Sequence, residues 1–487
     1  MTSTLSSTQR DLPHPRDIFV GGRWVTPSGS RAVPVVSPID GSVLCHLPEV
    51  SAGDADAAVA QASAAFEAGP WPSMTPAERS VVVERFLTLL EQRLDEINLA
   101  WSQEVGIPIT TAVAFGQGMS LAGRDSLRLA RELPFSEIRE TAGGRALVSR
   151  EPLGPVLAIL TYNGPTTEVG LSVIPALLVG NPVIVKLPPE NRLVGQHLAE
   201  AAGLAGFPDG VISVLTAEAE VSKHLVAHPG VAAVHFTGGT EIGAEVASVA
   251  GRRLVRTTLE LGGKSAAIVL DDADLDATIP LLMAMTTFQG QICNSLTRVL
   301  VPETRHDEIV ARLREAFGAV KVGDPTDPAT EFGPLPTERV RSRAEGYIRR
   351  AVEAGATVAY GGKRPEGFES GCYLEPTLLT DVDNTMEVAR NEIFGPVYCV
   401  IRYSSGVDEA IRIANDSPLG LAGAVFTTDT DKAMRVAAQV RVGTFWVNGV
   451  APCLTAPYGG VKASGYGRVG GPEGFFDLTE IKQVVLP

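Results

Sequence analysis

The sequence predicts an α/β protein built from two parallel-sheet units, on three observations. From Pro155 onward, short and continuously apolar segments alternate with helix-length spacers: PVLAIL at 155–160, PVIVK at 182–186, GVISVL at 210–215 and AAVHF at 232–236. Strands buried on both faces lose the in-out alternation of half-exposed ones, and spacers of roughly 10–15 residues have the length of parallel crossovers. A second such series begins with AAIVL at 266–270. Finally, 487 residues exceed what one hydrophobic core usually serves, so two or three domains are expected.

The elements can be justified in order. Residues 1–17 are polar and Pro-containing, with no basic segment leading into an apolar run; they are expected to be loose and not a leader. IFVGGRWV at 18–25 reads as a strand or the start of a hairpin. Thr75-Pro76-Ala77-Glu78 is a helix start, with Thr75 as N-cap, proline in the first turn and a glutamate three residues after the cap. Val82, Phe86, Leu89, Leu90, Leu94 and Ile97 then form one apolar stripe. Residues 130–154 read as a hairpin excursion. Leu171–Leu187, the most apolar stretch, is broken by Pro175, Gly180, Asn181 and Pro182, so it predicts a buried helix and strand, not a membrane span.

The second series continues through a helix at 275–287, the strand RVLVP, a helix at 308–317 and a strand at 394–401. Helices at 408–414 and 431–439 alternate with strands at 422–426 and 443–448. The tail at 477–486 reads as an exposed strand needing a partner from another domain or subunit.

Composition narrows the function classes. Apolar residues at 45% and charged residues at 20% describe a globular chain, and a net charge of −15 argues against a nucleic-acid partner. The five cysteines are scattered and odd in number, without CxxC spacing, and no histidine lies near Cys293. No disulfide framework and no metal site are expected, and a reducing cytoplasm fits best.

Two segments offer chemistry. Cys293 lies in FQGQICNSLTR, one helix-and-strand unit after Glu260 in LELGGK. Alone, each has an ordinary explanation, as a buried thiol and a surface carboxylate. Together they supply a nucleophile and a base. Gly290 and Gln291 before the cysteine suggest a tight turn whose N–H groups could face an oxyanion, aided by an Asn side chain such as Asn163. FTGGTEIG at 236–243 follows a strand and opens a helix, as a phosphate-binding turn would, although it lacks the GxGxxG fingerprint and also suits a structural turn. Lys186 ends the strand PVIVK, where open parallel sheets place ligand groups, though a solvated strand end reads the same way.

LELGGK (259–264), FQGQIC (288–293), NEIFGPV (391–397), WVN (446–448) and PYGGVKASGYGR (457–468) resemble, in order and spacing, the signatures of the NAD(P)-dependent aldehyde dehydrogenase superfamily. The resemblance runs from about Ile18 to the C-terminus. It implies a Rossmann-type cofactor domain at 1–126 and 147–260, an α/β catalytic domain at 261–450, and a small β oligomerisation element at 127–146 and 470–487. By the same resemblance Cys293 is the nucleophile, Glu260 the general base and Asn163, in TYNGP, the oxyanion donor. Lys186 would meet the adenosine ribose or its phosphate, Gly238 and Gly239 the pyrophosphate, and Glu392 and Phe394 the nicotinamide ribose and ring. Thr161, Tyr162, Pro189, Glu190, Phe236, Leu261 and Gly262 complete the implied cofactor contacts. The expected reaction is oxidation of an aldehyde to its acid through a cysteine thioester that water hydrolyses, in a homodimer or homotetramer.

Several positions depart from the family pattern. Pro189 occupies the usual place of a ribose-binding carboxylate that favours NAD, with Glu190 one step late; NAD remains preferred, and NADP or dual use stays open. Gly239 replaces a common serine. Gly164 and Leu171 stand where many relatives carry Phe and Trp, which implies a wider channel. Glu168 on the same helix could favour a polar or cationic aldehyde or could face solvent. Ser172 and Val469 replace a frequent Lys and Glu, which avoids stranding one charge of a pair. Three rival readings are a cysteine esterase, a CoA-acylating dehydrogenase and a non-catalytic scaffold. Relatives that acylate CoA commonly lack the base that Glu260 retains, and a scaffold needs no thiol, base and oxyanion donor together.

Overall fold

Five parallel strands of the first unit lie in the spatial order Ile212–Thr216, Val183–Leu187, Val156–Ile159, Ala233–Gly238 and Arg256–Leu261. The chain winds outward from Val156–Ile159 in one direction, then returns and winds in the other. At such a reversal the loops diverge and leave a crevice at the carboxyl ends of the strands. The hairpin Ile18–Val20 and Arg23–Val25 closes one edge of this sheet, and Gly465–Tyr466 closes the other, antiparallel to Arg256–Leu261.

The computed structural model describes residues 12–29 and 31–486. Residues 1–11, part of the segment expected to be loose, lie outside them. The strands expected at 155–160, 182–186, 210–215 and 232–236 all form, and Val156–Ile159 and Val183–Leu187 are buried throughout, as their unbroken apolar runs require. The helix Pro76–Gln92 begins with the expected reciprocal Thr75–Glu78 capping box. The stripe thought to be one helix is two: the chain bends at Arg93 and resumes as Leu94–Val105, so Leu94 and Ile97 belong to the second. The long apolar run becomes a wide helical turn at Val169–Val173, the helix Ile174–Leu178 and the strand Val183–Leu187. Among the described residues no helix is long and apolar enough to cross a membrane.

The second unit is a seven-stranded sheet, ordered Thr357–Tyr360, Thr377–Thr380, Val397–Tyr403, Arg298–Pro302, Ala266–Val269, Ala422–Phe426 and Thr444–Val447, parallel except at the first edge. Residues 320–390 gave no clear sequence signal. They hold the helix Glu338–Glu353, whose charged sequence hides a sparse stripe of Val340, Ala344, Tyr347, Ile348 and Ala351 that packs on the core.

Arg298 fixes this unit internally. Its guanidinium, 2% exposed, donates to the carbonyls of Lys264, Ile413 and Ala414 and to Asn384 Oδ1, at 2.8–3.1 Å. No carboxylate is among these partners, so it acts as a fork of donors rather than one half of an ion pair. Arg298→Met is expected to strand these acceptors and destabilise the chain by about 3 kcal/mol. A lowered urea midpoint should report it, and an unchanged midpoint would reject it.

The third sheet is antiparallel, with Gly144–Pro152 between Ser136–Thr141 and Thr479–Leu486. The tail thus finds its partner within its own chain, pairing with Arg145–Pro152, the second strand of the excursion expected at 130–154. The boundary expected at 126/127 falls inside the helix Ile109–Glu132, and the central strand runs past 146 to Pro152.

Candidate active site

The crevice of the first sheet collects the residues singled out in the sequence. Ile159, Phe236 and Leu259 lie side by side across three strands, and Glu260 is the register partner of Thr237. Beyond Ile159 the chain turns through Thr161, Tyr162, Asn163 and Gly164 into the helix Pro165–Glu168. Beyond Gly238 it enters the helix Thr240–Gly251.

Cys293 enters from the second unit, on the turn after Gln289 and Gly290. Both have positive φ, +51° and +69°, so the tight turn expected from Gly290 is present. Gln289 is anchored by its amide to the Gly106 carbonyl at 3.1 Å. Tyr162 joins the two units. Its hydroxyl pairs with Gln291 Oε1 at 2.8 Å, its carbonyl accepts from Trp101 Nε1 at 2.8 Å, and its ring meets Phe394 edge-on at 5.8 Å.

A third segment links thiol and carboxylate. The Tyr458 hydroxyl lies 3.6 Å from Cys293 Sγ. At the next residue, a Cβ on Gly459 would sit 2.6 Å from Glu260 Oε1. Cys293 and Glu260 therefore flank adjacent residues of one loop, which the Tyr458–Val469 pairing holds in place. Burial pushes the Cys293 thiol up to about 12, with Glu392, Glu260 and Glu168 adding like charge and Tyr458 opposing. Burial also holds Glu260 well above the ordinary carboxylate range, Glu168 adding to the effect and Arg468 opposing it. Neither Glu260 oxygen has a hydrogen-bond partner among the described residues. A buried, unpaired carboxylate beside a thiol is poised to accept a proton, not to hold structure.

Residues 24–484 match the model of the aldehyde dehydrogenase family. The chain belongs to the aldehyde dehydrogenase family.

Among its relatives is the geranial dehydrogenase of Castellaniella defragrans, 39% identical over 96% of this chain and 98% of that protein. A Mycobacterium tuberculosis aldehyde dehydrogenase solved with NAD+ is 41% identical, with a TM-score of 0.94 over 97% of this chain and 98% of its own. An indole-3-acetaldehyde dehydrogenase of P. syringae, also with NAD+, is 35% identical, with a TM-score of 0.94 over 98% of each chain. The enzyme oxidises an aldehyde to the carboxylic acid with NAD(P)+, through a cysteine thiohemiacetal and a thioester that water hydrolyses.

The dehydrogenase's own residues fit a dinucleotide. The helix Thr240–Gly251 begins at Gly239 without a side-chain cap, and the space around the Gly239 Cα is open. Its first-turn N–H groups are thus left for a phosphate. The Phe236 ring packs where a Cβ on Gly238 would go, and Leu261 packs against Gly243. Lys186, one residue before the end of its strand, is 5% exposed and lowered to about 8 by burial against the opposing pull of Glu190 and Glu218. Pro189 and Glu190 form a single helical turn after it, and Arg192 pairs with Glu218 at 2.8 Å.

Glu392 is pushed up to about 7 by burial and accepts the Gly263 N–H at 3.3 Å. Phe394 has φ of +54°, uncommon for a bulky side chain, and this bent segment delays the strand expected from 394 until Val397. A Cβ on Gly262 would collide with the Glu392 carboxylate, so only glycine admits that close approach. Among the described residues no acidic, histidine or cysteine cluster could hold a metal.

Sequence reasoning missed three contacts here. Tyr458 on Cys293 spans 165 residues of chain, Tyr162 on Gln291 spans 129, and Glu168 turns back onto Thr161. Only the last was within reach of sequence, as a carboxylate one turn into a helix that follows a threonine.

Proposed function

We propose that Cys293 is the nucleophile, Glu260 the general base and Asn163 the oxyanion donor of this dehydrogenase. The observation that carries the assignment is the loop that sets Tyr458 on the thiol and Gly459 on the carboxylate. The thiol releases its proton to solvent and attacks the aldehyde carbonyl, and the Asn163 amide with the Cys293 N–H receives the oxygen's developing charge. NAD+, when bound, supplies the hydride acceptor. Lys186 and Glu190 are assigned to the adenosine end, Gly238 and Gly239 to the phosphates, and Glu392 and Phe394 to the nicotinamide end. Thr161, Tyr162, Pro189, Phe236, Leu261 and Gly262 line the same cleft. Glu260 then takes the proton of the water that releases the acid.

The substrate is read as a bulky, uncharged aldehyde. A Cβ on Gly164 would meet nothing within 4 Å, and Leu171 packs toward Gly470. The Glu168 carboxylate is tied to Thr161 instead of being offered to a cation. That is consistent with a relative that acts on geranial. Gly164→Phe is expected to raise KM for branched or aromatic aldehydes by about 10-fold while sparing acetaldehyde, on the order of one lost close fit. Steady-state kinetics over an aldehyde panel without CoA test both points. Equal effects on large and small aldehydes would reject the channel reading, and turnover that needs CoA would reject water as acyl acceptor.

The division of labour follows the sheets: residues 1–126 and 147–260 bind the coenzyme, 261–450 carry the nucleophile, and 127–146 with 470–487 serve association, adjusted to the element ends above. Ile481, Val484 and Val485 stand exposed along Thr479–Leu486. Such an apolar strand is best covered by another copy, which supports a homodimer or homotetramer. The five cysteines are all unpaired, in keeping with a cytoplasmic enzyme.

A further inference from the structure

The turn that carries Asn163 has uneven support. Tyr162 is fixed at both its carbonyl and its hydroxyl. On the other side, Gly164 starts the helix without a side-chain cap, and the space around its Cα is open. What closes the turn is Glu168. Its Oε2 accepts the Thr161 N–H at 2.8 Å, and its Oε1 accepts the Thr161 hydroxyl at 2.5 Å. The backbone of Glu168 is held in turn, its N–H donating to the Gly164 carbonyl at 3.0 Å and its carbonyl accepting from Ser172 Oγ at 2.6 Å. One carboxylate thus bridges both ends of the segment 161–168, with Asn163 inside the bridge.

We infer that Glu168 is a positioning residue that acts through Thr161 to hold the Asn163 amide at the oxyanion site. The inference rests on the proposed role of Asn163. A capping role alone would be met by an uncharged serine or asparagine. A carboxylate here is instead unfavourable: burial raises it to about 7, and only the Thr161 bonds oppose that. The groups around it add no cation. Glu260 faces it from Arg256–Leu261 and Cys293 from the second unit, both raised by its charge. The long helix Ile109–Glu132 presents Phe115, Gly118, Met119 and Ala122 to this segment, none of them titratable. A carboxyl group placed among these neighbours is explained by its two oxygens, which one planar group aims at two donors of the same residue.

The test is a double-mutant cycle of Glu168→Gln and Asn163→Ala, with Thr161→Val and Thr161→Ser alongside. Gln can accept only one of the two Thr161 bonds. Glu168→Gln and Thr161→Val are each expected to lower kcat by about 10-fold to 100-fold, the scale of a small misplacement at a reacting centre. Thr161→Ser should restore turnover. In Glu168→Gln, NAD+ affinity by fluorescence titration and Tm should stay near wild type. Combined with Asn163→Ala, Glu168→Gln should add little further loss, because both remove one interaction. Removing the charge should also shift Cys293 alkylation by iodoacetamide toward lower pH, whereas Thr161→Val, which keeps the charge, should leave it unmoved. The Tyr458, Glu392 and Glu260 groups around the thiol are common to both proteins.

Wild-type kcat in Glu168→Gln, full additivity in the cycle, or activity lost together with Tm and NAD+ affinity would each overturn the inference. Wild-type turnover in Asn163→Ala alone would overturn the oxyanion assignment beneath it, so the two failures read differently.

Discussion

Cys293→Ala is expected to abolish coenzyme reduction, by at least about 10⁴-fold, because no other group at the site can form the thioester. Of the other four cysteines, Cys45 and Cys399 are buried in core clusters, Cys372 packs against one, and Cys453 lies exposed near the surface hydroxyl of Thr455. None can stand in for Cys293. NAD+ binding should persist within a factor of about two, since the coenzyme contacts proposed above do not include the thiol. The intact thiol should also be a slow nucleophile before substrate and coenzyme arrive. With its pKa raised to about 12, it stays protonated at neutral pH, and the reactive thiolate grows about tenfold with each pH unit below that value. Mass-spectrometric rates of iodoacetamide labelling across neutral to alkaline pH measure this directly. A pH-independent rate would reject the raised thiol pKa, and residual dehydrogenation by the alanine variant would reject the assignment.

What could be read from the sequence followed the range of the interactions involved. The strands around the crevice announced themselves because Val156–Ile159 and Val183–Leu187 are buried on both faces, and burial of that kind leaves an unbroken apolar run. The Thr75 cap was legible because both of its partners lie within one helical turn. The break at Arg93 was not, since the apolar stripe passes through it without a glycine or proline to mark it. The charged helix Glu338–Glu353 escaped notice because only one narrow face is apolar.

At the site, motif order named Cys293 and Glu260, yet nothing local reveals that Tyr458 and Gly459 bring the two to one loop. That relation depends on an antiparallel return to the edge of the first sheet, where Gly465 is the partner of Glu260. Glu168 is an intermediate case. Its residue type was conspicuous, but whether it addressed a cation, solvent or the backbone depended on the fold of the eight-residue turn 161–168.

Glu260→Gln separates the two halves of the reaction. The first half ends at the thioester, and the second needs water to lose a proton to a base. In the variant the first turnover should still reduce one equivalent of coenzyme as a burst, while steady-state kcat falls by about 10²-fold to 10⁴-fold. The pH profile carries the sign. A carboxylic acid held well above its ordinary range by burial is neutral, and useless as a base, until the pH rises through that elevated value. Wild-type kcat should therefore fall as pH is lowered through the raised pKa, along a limb that Glu260→Gln lacks.

An added acyl acceptor that needs no base, such as hydroxylamine, should recover turnover in the variant and yield the hydroxamate. Stopped-flow absorbance of reduced coenzyme follows the burst, and intact-protein mass spectrometry detects the acylated chain. If the burst is lost together with the steady state, Glu260 acts before the thioester, as the base for the Cys293 proton. Its position against Gly459, one residue from the tyrosine on that thiol, gives that outcome a structural route as well. A persistent burst with hydroxylamine rescue would instead confine Glu260 to the hydrolytic half, with the thiol's proton leaving by another path.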